Sequence, residues 1–212
     1  RAPFGELGSR RAVQAVAEIA GEITVNSTGD EPDADSSDNV PDVNLTKPGL
    51  QTTLRSAIQF ANGRSGRSII RFQIPNTDPK YRGGNPLIEP RAGLPIVSVP
   101  IEIDGWSQNP GASAPVVELN GGLIPPPVRD LAERLEVDDF DVWPDHPDAT
   151  HGIALHTTNS MIKGLVINQF PLFGVEIRGD ENRLQGCYIG MDRNGKTPRA
   201  NGSALELDGN GA

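Results

Sequence analysis

The feature of this 212-residue chain that most constrains its fold is an internal repeat near its C-terminal end. The segment GIALHTTNSMIKGLVI, which begins at Gly152, aligns without gaps with GVEIRGDENRLQGCYI, which begins at Gly174. A third copy begins at Ala204, after the inserted loop MDRNGKTPRANG. A fixed period of this size indicates a solenoid, in which each repeat packs mainly on its neighbours. The matching positions are Ile153 with Val175, Leu155 with Ile177, Ile162 with Leu184, Gly164 with Gly186, and Ile167 with Ile189.

The residues inside each repeat distinguish two kinds of solenoid. A leucine-rich repeat requires an LxxLxL pattern, which this sequence lacks. Short Ile and Val pairs, glycines at the corners, and Asn159, Asn182 and Asn210 near equivalent turns instead favour stacked β-coils. The repeat therefore predicts a parallel β-helix with about 22 residues per coil.

The residues before the repeat predict two helices, an edge strand and a loop. Residues 9–20 place small apolar side chains on one helical stripe, and the alternating run over 23–28 predicts an edge strand that leads into an acidic loop. The clearest helical pattern predicts a helix from Thr53 to Ala61, with Thr52 or Thr53 as its N-cap and Asn62–Gly63 as its end. We expect this helix to cap the first coil and to cover its strand edges.

Three Ile- and Val-rich runs follow this helix: SIIRFQIP, LPIVSVPIEIDG and APVVELNGG. They predict strands, because apolar and polar residues alternate between Gly, Pro and Asn. We divide the chain into residues 1–62, which hold the N-terminal helix, edge strand, acidic loop and capping helix, and residues 63–212, which hold the coils. A helical and acidic insertion is predicted at 123–150, and both parts are expected to form one structural unit.

The composition excludes several classes of function. Asp and Glu number 28 against 19 Lys and Arg, and the resulting net charge of −9 disfavours nucleic-acid binding. The single cysteine, Cys187, excludes an internal disulfide and a cysteine zinc cluster. No apolar run approaches the roughly 18 residues of a transmembrane helix. The motifs of serine hydrolases, P-loop NTPases and Rossmann enzymes are missing as well.

An ordered series of motifs points to a family. Over residues 22–212 the chain resembles bacterial secreted and cell-surface proteins with a CSLREA-type N-terminal region, through ITVNSTGDEPDAD, TLRSAIQFAN, LPIVSVPIEIDGWSQNPG, VVELNG, IKGLVINQF and NRLQGCYIGMDRNG. The resemblance implies an all-β fold, namely a right-handed single-stranded parallel β-helix of the pectin-lyase-like class with a short N-terminal helical cap. It also implies an extracellular or cell-surface location. The chain departs from the family pattern at Thr52 and Thr53, where a cysteine is usual, and in the segment from Leu123 to Thr150.

Strand alternation places charged side chains on one outer face of the predicted coils, since Val175 and Ile177 are expected to point inward. Glu176 then stacks on Glu206 at a coil spacing of roughly 5 Å, which suits a calcium ion or the acid and nucleophile of a retaining glycosidase. A neighbouring arginine suits a uronate lyase. The alternative is a solvated acidic face on which Arg178 screens like charges. The candidate catalytic residues are Glu176, Arg178, Glu206, Asp208 and His156, and Glu176 and Glu206 are also candidate calcium ligands.

The acidic loop provides a second candidate calcium site. Asp33, Asp35 and Asp38 offer oxygen ligands at close spacing. The EF-hand pattern, with its glycine and terminal glutamate, is missing, so a loop without a metal is the alternative interpretation. A calcium ion is the only cofactor that the sequence suggests.

Four ring side chains have two interpretations each. His146 and His151 lie near two aspartates and suit a transition metal, but their spacing fits no zinc pattern and favours a solvated loop. Trp106 and Trp143 lie in polar surroundings and are suited either to stacking on a sugar ring or to packing at a corner of the fold.

These observations lead to two predicted functions. The first is a secreted or cell-surface scaffold with a role in adhesion, display or matrix structure and without catalysis. The alternative is a carbohydrate-active enzyme, either a polysaccharide lyase or a glycoside hydrolase, or a polysaccharide-binding module that uses the charged outer face. The expected partner is a polysaccharide or a cell-surface glycan. Because the third copy stops at Ala212 without a polar cap, we also expect further coils, or self-association at the open C-terminal end.

Overall fold

The structure is a computed structural model that describes residues 19–125 and 151–202. These residues are mostly β and form twelve strands, one α-helix and a 3₁₀ helix at Gly105–Gln108. The α-helix, α1, spans Leu54–Asn62. The strands are β1 (Ile19–Val25), β2 (Arg67–Phe72), β3 (Tyr81–Arg82), β4 (Asn85–Ile88), β5 (Ile101–Asp104), β6 (Val117–Asn120), β7 (Ile153–His156), β8 (Met161–Lys163), β9 (Leu165–Asn168), β10 (Val175–Arg178), β11 (Arg183–Gln185) and β12 (Tyr188–Ile189).

These strands belong to three sheets. The first has five strands in the order β1-β2-β5-β8-β11, and all of its pairs are parallel. The second pairs β10 with β7, also in parallel. The third has the order β12-β9-β6-β4-β3 and is parallel except for the pair of β3 with β4. Consecutive strands β10, β11 and β12 therefore each form one edge of a different sheet.

The predicted fold, a right-handed single-stranded parallel β-helix, is wrong. The described strands lie in three separate sheets rather than in one stacked helix, and one strand pair is antiparallel. The predicted coil of about 22 residues also fails as a general rule, because the chain between paired strands varies in length. Ser68 pairs with Ile101, whereas Glu102 pairs with Met161. The period of the last two repeats does not extend to the earlier segments, whose connections are longer.

The gapless alignment of the two repeats is nevertheless confirmed as strand register. Val175 pairs with Ile153 and Ile177 with Leu155 between β10 and β7. The same offset relates Leu184 to Ile162 and Ile189 to Ile167 in the other two sheets. Parallel strands that carry equal side chains in register stack their apolar residues directly, so the repeat identifies neighbouring strands even though it does not identify the whole fold.

The three sheets share one apolar core. Along β2 the burial alternates, so that Ile70 and Phe72 face the core while Arg67 and Arg71 face outward. This alternation follows from the two-residue period of a strand. Burying a large apolar side chain such as Phe72 contributes about 1.5–3 kcal/mol.

The helix predicted from Thr53 to Ala61 is present as α1. Its N-cap is Thr53, whose hydroxyl accepts a hydrogen bond from the Ser56 backbone N–H at 3.0 Å, while the Ser56 hydroxyl accepts one from the Thr53 N–H at 3.1 Å. The helix ends at Gly63, which is its C-cap. Its apolar face packs against β1 and contributes to the core through Leu54, Ala57, Ile58 and Ala61.

Two glycines of the repeat make room for an aromatic side chain. Gly164 and Gly186 have φ values of 65° and 59°, a region that favours glycine. A methyl group on Gly164 would lie 2.6 Å from Cδ1 of Trp106, and one on Gly186 would lie 3.0 Å from its Cζ2. The indole of Trp106 therefore lies over both glycines and packs against the fold.

Two further predictions concern helical segments, one over residues 9–20 and one within residues 123–150. Ile19 and Ala20 belong to β1, so the helix predicted over 9–20 does not include them, and its other residues lie outside the described part of the chain. The helical part of the predicted insertion at 123–150 lies outside it as well. Within residues 19–125 and 151–202, no helix has the length and apolar character needed to cross a membrane.

Candidate functional site

The two-stranded sheet and the segment just before it bring three side chains around one carboxylate. His156 ends β7 and lies beside Arg178 of β10, while Glu176 lies two residues before Arg178. Arg178 Nε donates a hydrogen bond to Glu176 Oε1 at 2.9 Å, and His156 Nε2 lies 3.4 Å from the same oxygen. His151 Nε2 lies 3.3 Å from Glu176 Oε2. We call His151, His156, Glu176 and Arg178 the Glu176 cluster.

His151 is the most enclosed member of the Glu176 cluster. Its imidazole is almost fully buried and stacks on Phe173, with ring centroids 5.5 Å apart. Burial, above all, lowers the pKa of His151 below its ordinary value of 6.5; the Glu176 carboxylate opposes this shift, and His156 and Arg178 reinforce it. Neither ring nitrogen of His151 has a hydrogen-bond partner among the described residues. Burial therefore favours the neutral form of His151, which does not lie in a solvated loop.

The carboxylate of the Glu176 cluster is largely enclosed: Oε1 accepts a hydrogen bond from Arg178, whereas Oε2 has no hydrogen-bond partner among the described residues. The side chain of Glu176 is only 11 % exposed, and both of its oxygens face cationic or ring nitrogens of the cluster. A glycosidase nucleophile or a calcium ligand needs a carboxylate oxygen that a ligand can reach. Glu206 and Asp208, the other predicted members of this face, lie outside the described residues.

The inward and outward pattern predicted for β10 holds only in part. Leu155 of β7 is fully buried, but its register partner Ile177 is 42 % exposed. Leu184 of β11 and Ile189 of β12 are exposed to a similar extent, at 40 % and 41 %. All three lie on the last strand of their sheets, and no described strand pairs with the outer side of these strands.

The carboxylates of the acidic loop bind their own backbone. Asp33 Oδ1, Asp35 Oδ1 and Asp38 Oδ1 each accept a hydrogen bond from the N–H two residues later, at 2.8–3.1 Å. This is the local turn that Asp commonly forms. Within the described residues, no group of three or more His, Cys, Asp or Glu side chains is arranged to hold a metal ion. The geometry gives no support to the calcium site predicted at Asp33, Asp35 and Asp38.

Of the remaining ring candidates, Trp106 lies within the described residues. Trp106 is used in packing against Gly164 and Gly186, which agrees with the packing alternative. Trp143 and His146 lie outside the described part of the chain.

The outer face of the first sheet carries charges that pair with each other across strands. Lys163 of β8 lies 2.7 Å from Glu102 and 3.2 Å from Asp104 of β5, and Arg67 of β2 lies 2.8 Å from Glu102. The hydrogen bond with Glu102, above all, raises the pKa of Lys163. Such cross-strand pairs stabilise a sheet. We therefore interpret this face as structural.

A different region offers an open binding surface that the sequence did not reveal. A groove of about 470 Å³ lies on the outer face of the third sheet, beneath the loop that follows β12. This volume falls within the roughly 300–1,000 Å³ of typical ligand sites. We call it the Glu118 groove. Its lining residues are Arg82, Leu87, Glu89, Glu118, Asn120, Gly122, Leu123, Gln169, Asp192, Arg193, Asn194 and Arg199.

The loop over the Glu118 groove is fixed by Asp192. Asp192 Oδ1 accepts backbone hydrogen bonds from Asn194, Lys196 and Thr197 at 3.0–3.2 Å. These bonds, that of Lys196 above all, lower the pKa of Asp192 to about 2. The next residue, Arg193, ties the loop to the sheet: its Nε lies 3.2 Å from Glu118 Oε2, and its Nη1 donates to the Arg82 carbonyl at 3.2 Å.

A row of amides continues the polar lining of the Glu118 groove. Asn120 Nδ2 donates to Gln169 Oε1 at 2.7 Å, and Arg199 Nη1 donates to the same oxygen at 3.1 Å. The buried Asn168 donates to Glu118 Oε1 at 3.0 Å. These contacts orient planar polar side chains of β6, of the end of β9 and of the loop that follows β12 toward the Glu118 groove.

No local sequence pattern predicts the Glu118 groove. Arg82, Glu118 and Arg193 come from three distant segments, and only the pairing of β3, β4 and β6 with the later strands brings them together. A periodic pattern identifies which residues of one strand share a face, but it does not identify which distant loop covers that face.

Comparisons of the chain with protein-family models, with curated proteins and with solved structures found no match. The resemblance to CSLREA-type proteins therefore stays a prediction.

Proposed function

We propose that this protein is a secreted or cell-surface module that binds polysaccharide in the Glu118 groove and does not catalyse a reaction. The observation that carries this proposal is the lining of the groove. Amide, guanidinium and carboxylate groups converge on one open space, as recognition of several neighbouring hydroxyl groups requires. Leu87 and Leu123 add a small apolar area on which the C–H face of a sugar ring can rest. The extracellular location is part of the proposal and rests on the resemblance alone.

The state of the carboxylates favours binding over hydrolysis. A glycosidase needs a carboxylic acid that stays protonated and a second carboxylate with a free oxygen. In the Glu118 groove, Glu118 has both oxygens engaged, by Asn168 and Arg193. Asp192 is held ionised by its own loop, and Glu89 pairs with Lys80 at 3.2 Å. This lining supports a binding role.

The test is retention of the purified chain by immobilised neutral and acidic polysaccharides. We expect at least one polymer to retain the wild-type chain, and the variant Gln169→Ala to bind it about tenfold more weakly, since one hydrogen bond is worth about 1.4 kcal/mol in such a site. Gln73→Ala is the matched control, because Gln73 is also exposed but does not line the groove.

Two outcomes would contradict the proposal. If no polymer retains the wild-type chain, the groove is not a polysaccharide site. If the polymer is shortened during incubation, with new reducing or unsaturated ends, the protein is an enzyme and the non-catalytic part of the proposal is wrong.

A further inference from the structure

The charged side chains that line the Glu118 groove are equal in number, but not all of them pair with each other. Three acidic and three arginine side chains line it. Glu118 pairs with Arg193, and Glu89 pairs with Lys80, which lies outside the lining. Asp192 accepts three backbone hydrogen bonds from its loop. Among the residues that the structure describes, two arginines, Arg82 and Arg199, have no acidic partner.

Arg199 donates to the amide oxygen of Gln169 at 3.1 Å, and it forms no ion pair with any residue in the described ranges. The side chain of Arg82 likewise has no ion pair within residues 19–125 and 151–202, although its backbone carbonyl accepts from Arg193. Both side chains are exposed. Although the chain has a net charge of −9, this groove presents two guanidinium groups that form no ion pair within the described residues and can face an anionic ligand.

We infer that the Glu118 groove selects an anionic polysaccharide and that Arg82 and Arg199 bind its carboxylate or sulfate groups. This inference rests on the proposed function and names its ligand class. A guanidinium group presents a planar fork of N–H donors that matches a carboxylate or sulfate with two parallel hydrogen bonds. A neutral sugar offers only hydroxyl groups, which leave the charge of Arg82 and Arg199 unsatisfied.

The arrangement also explains why Arg199 is positioned in advance. Asn120 and Arg199 share the Gln169 amide oxygen, so the guanidinium is held at the groove while the rest of its donors stay available. Its backbone N–H donates to the Gly190 carbonyl at 2.8 Å, which fixes the residue itself beside β12. A cation held in place loses less conformational entropy when it binds its ligand.

The experiment measures binding to chemically matched pairs of polymers. Polygalacturonate is compared with its fully methyl-esterified form, and dextran sulfate with dextran, so that each pair differs only in its anionic groups. We expect the wild-type chain to bind an anionic member at least tenfold more tightly than its neutral counterpart. The pair that shows the difference identifies the ligand as a uronate or a sulfate ester. Raising the salt concentration should weaken this binding.

The variants Arg199→Gln and Arg82→Gln assign the effect to the groove. Each is expected to weaken binding of the anionic polymer at least fivefold and to weaken binding of the neutral polymer by a smaller factor. Arg183→Gln is the matched control, because Arg183 is exposed on β11 and does not line the groove. All three changes concern exposed side chains, and equal thermal unfolding temperatures check that the fold is kept.

The outcomes separate this inference from the proposed function. Equal binding of the neutral and anionic members overturns the inference and leaves polysaccharide binding standing. A loss in Arg183→Gln as large as that in Arg199→Gln also overturns it, since attraction would then be spread over the surface. Failure of every polymer to bind overturns both.

Discussion

His151 has an imidazole that is almost fully withdrawn from solvent, stacked on Phe173 and directed at the carboxylate of Glu176. Such a position favours the neutral ring, because a buried cation loses its hydration. The Glu176 carboxylate stabilises the protonated ring and so opposes this decrease in pKa, whereas His156 and Arg178 lower the pKa of His151 further. The balance leaves the folded protein with a lower proton affinity at His151 than the unfolded chain.

This balance predicts how stability depends on pH. The pKa of His151 is lowered in the folded state, so the unfolded chain takes up the proton first, and stability should decrease as the pH falls below about 6.5. The measurement is the free energy of unfolding from pH 8 to pH 5 for the wild-type chain and for His151→Gln, which does not titrate. The variant should show a shallower decrease.

The control for this experiment is His156→Gln, which keeps His151 and should keep most of the pH dependence. If His151→Gln and the wild-type chain lose stability in parallel over this range, the titration of another group is responsible.

At the scale of elements, α1 is held by contacts at its first turn. Thr53 and Ser56 exchange hydrogen bonds there, and the Thr53 hydroxyl also donates to the Glu31 carbonyl at 2.7 Å. Arg55 adds an ion pair to Asp30 at 2.8 Å and donates to the carbonyls of Ala92 and Gly93. The start of α1 therefore connects the acidic loop to the segment that precedes β5.

Removing the Thr53 hydroxyl tests this connection. Thr53→Ala should lower the free energy of unfolding by about 1–2 kcal/mol, because it deletes the N-cap and the part-buried hydrogen bond to the Glu31 carbonyl. Thr53→Ser keeps the hydroxyl and should lose much less. Chemical denaturation of the three proteins gives the comparison, and an equal loss in both variants would assign the effect to the missing methyl group.

The same elements show which parts of the fold could be predicted from the sequence. The bounds of α1 could be predicted because Thr53 and Gly63 act within a few residues of the helix they cap. The register of β10 on β7 could be predicted because both strands carry the same apolar pattern. The grouping into three sheets could not, since β5 pairs with β8 across a long intervening chain that has no repeat of its own.

The candidate sites also divide into contacts that local sequence patterns predict and contacts that only distant segments create. Alternation along β10 placed Glu176 and Arg178 together, and the repeat added His156 from the strand beside them. His151 was interpreted as part of a loop, because its burial depends on Phe173 and Glu176, which are contributed by later segments. The Glu118 groove depends on even more distant contacts, between Arg193 and residues of β3 and β6.

At the scale of the whole molecule, the described strands end in an exposed apolar edge. Ile177, Leu184 and Ile189 lie on β10, β11 and β12, the last strands of the three sheets, while their register partners one strand earlier are fully buried. Exposed strand edges with apolar side chains promote association between chains.

We therefore expect the chain to self-associate, and the double variant Ile177→Lys, Leu184→Lys to weaken this association at least fivefold. Charged side chains on edge strands oppose edge-to-edge pairing. Sedimentation velocity over a range of concentrations provides the measurement. The control is Leu45→Lys, Leu50→Lys, which places equal charge on two leucines that are exposed in the acidic loop. A wild-type chain that sediments as a monomer throughout would contradict this expectation.

The unequal connections between paired strands have a consequence for how such a chain can evolve. β2 joins β5, and β5 joins β8, through backbone pairing that does not depend on how much sequence lies between them. The entropic cost of a longer connection grows only slowly with its length. New segments can therefore be gained or exchanged between strands while the sheets keep their register, and a binding groove bordered by such connections can acquire a new specificity without a new scaffold.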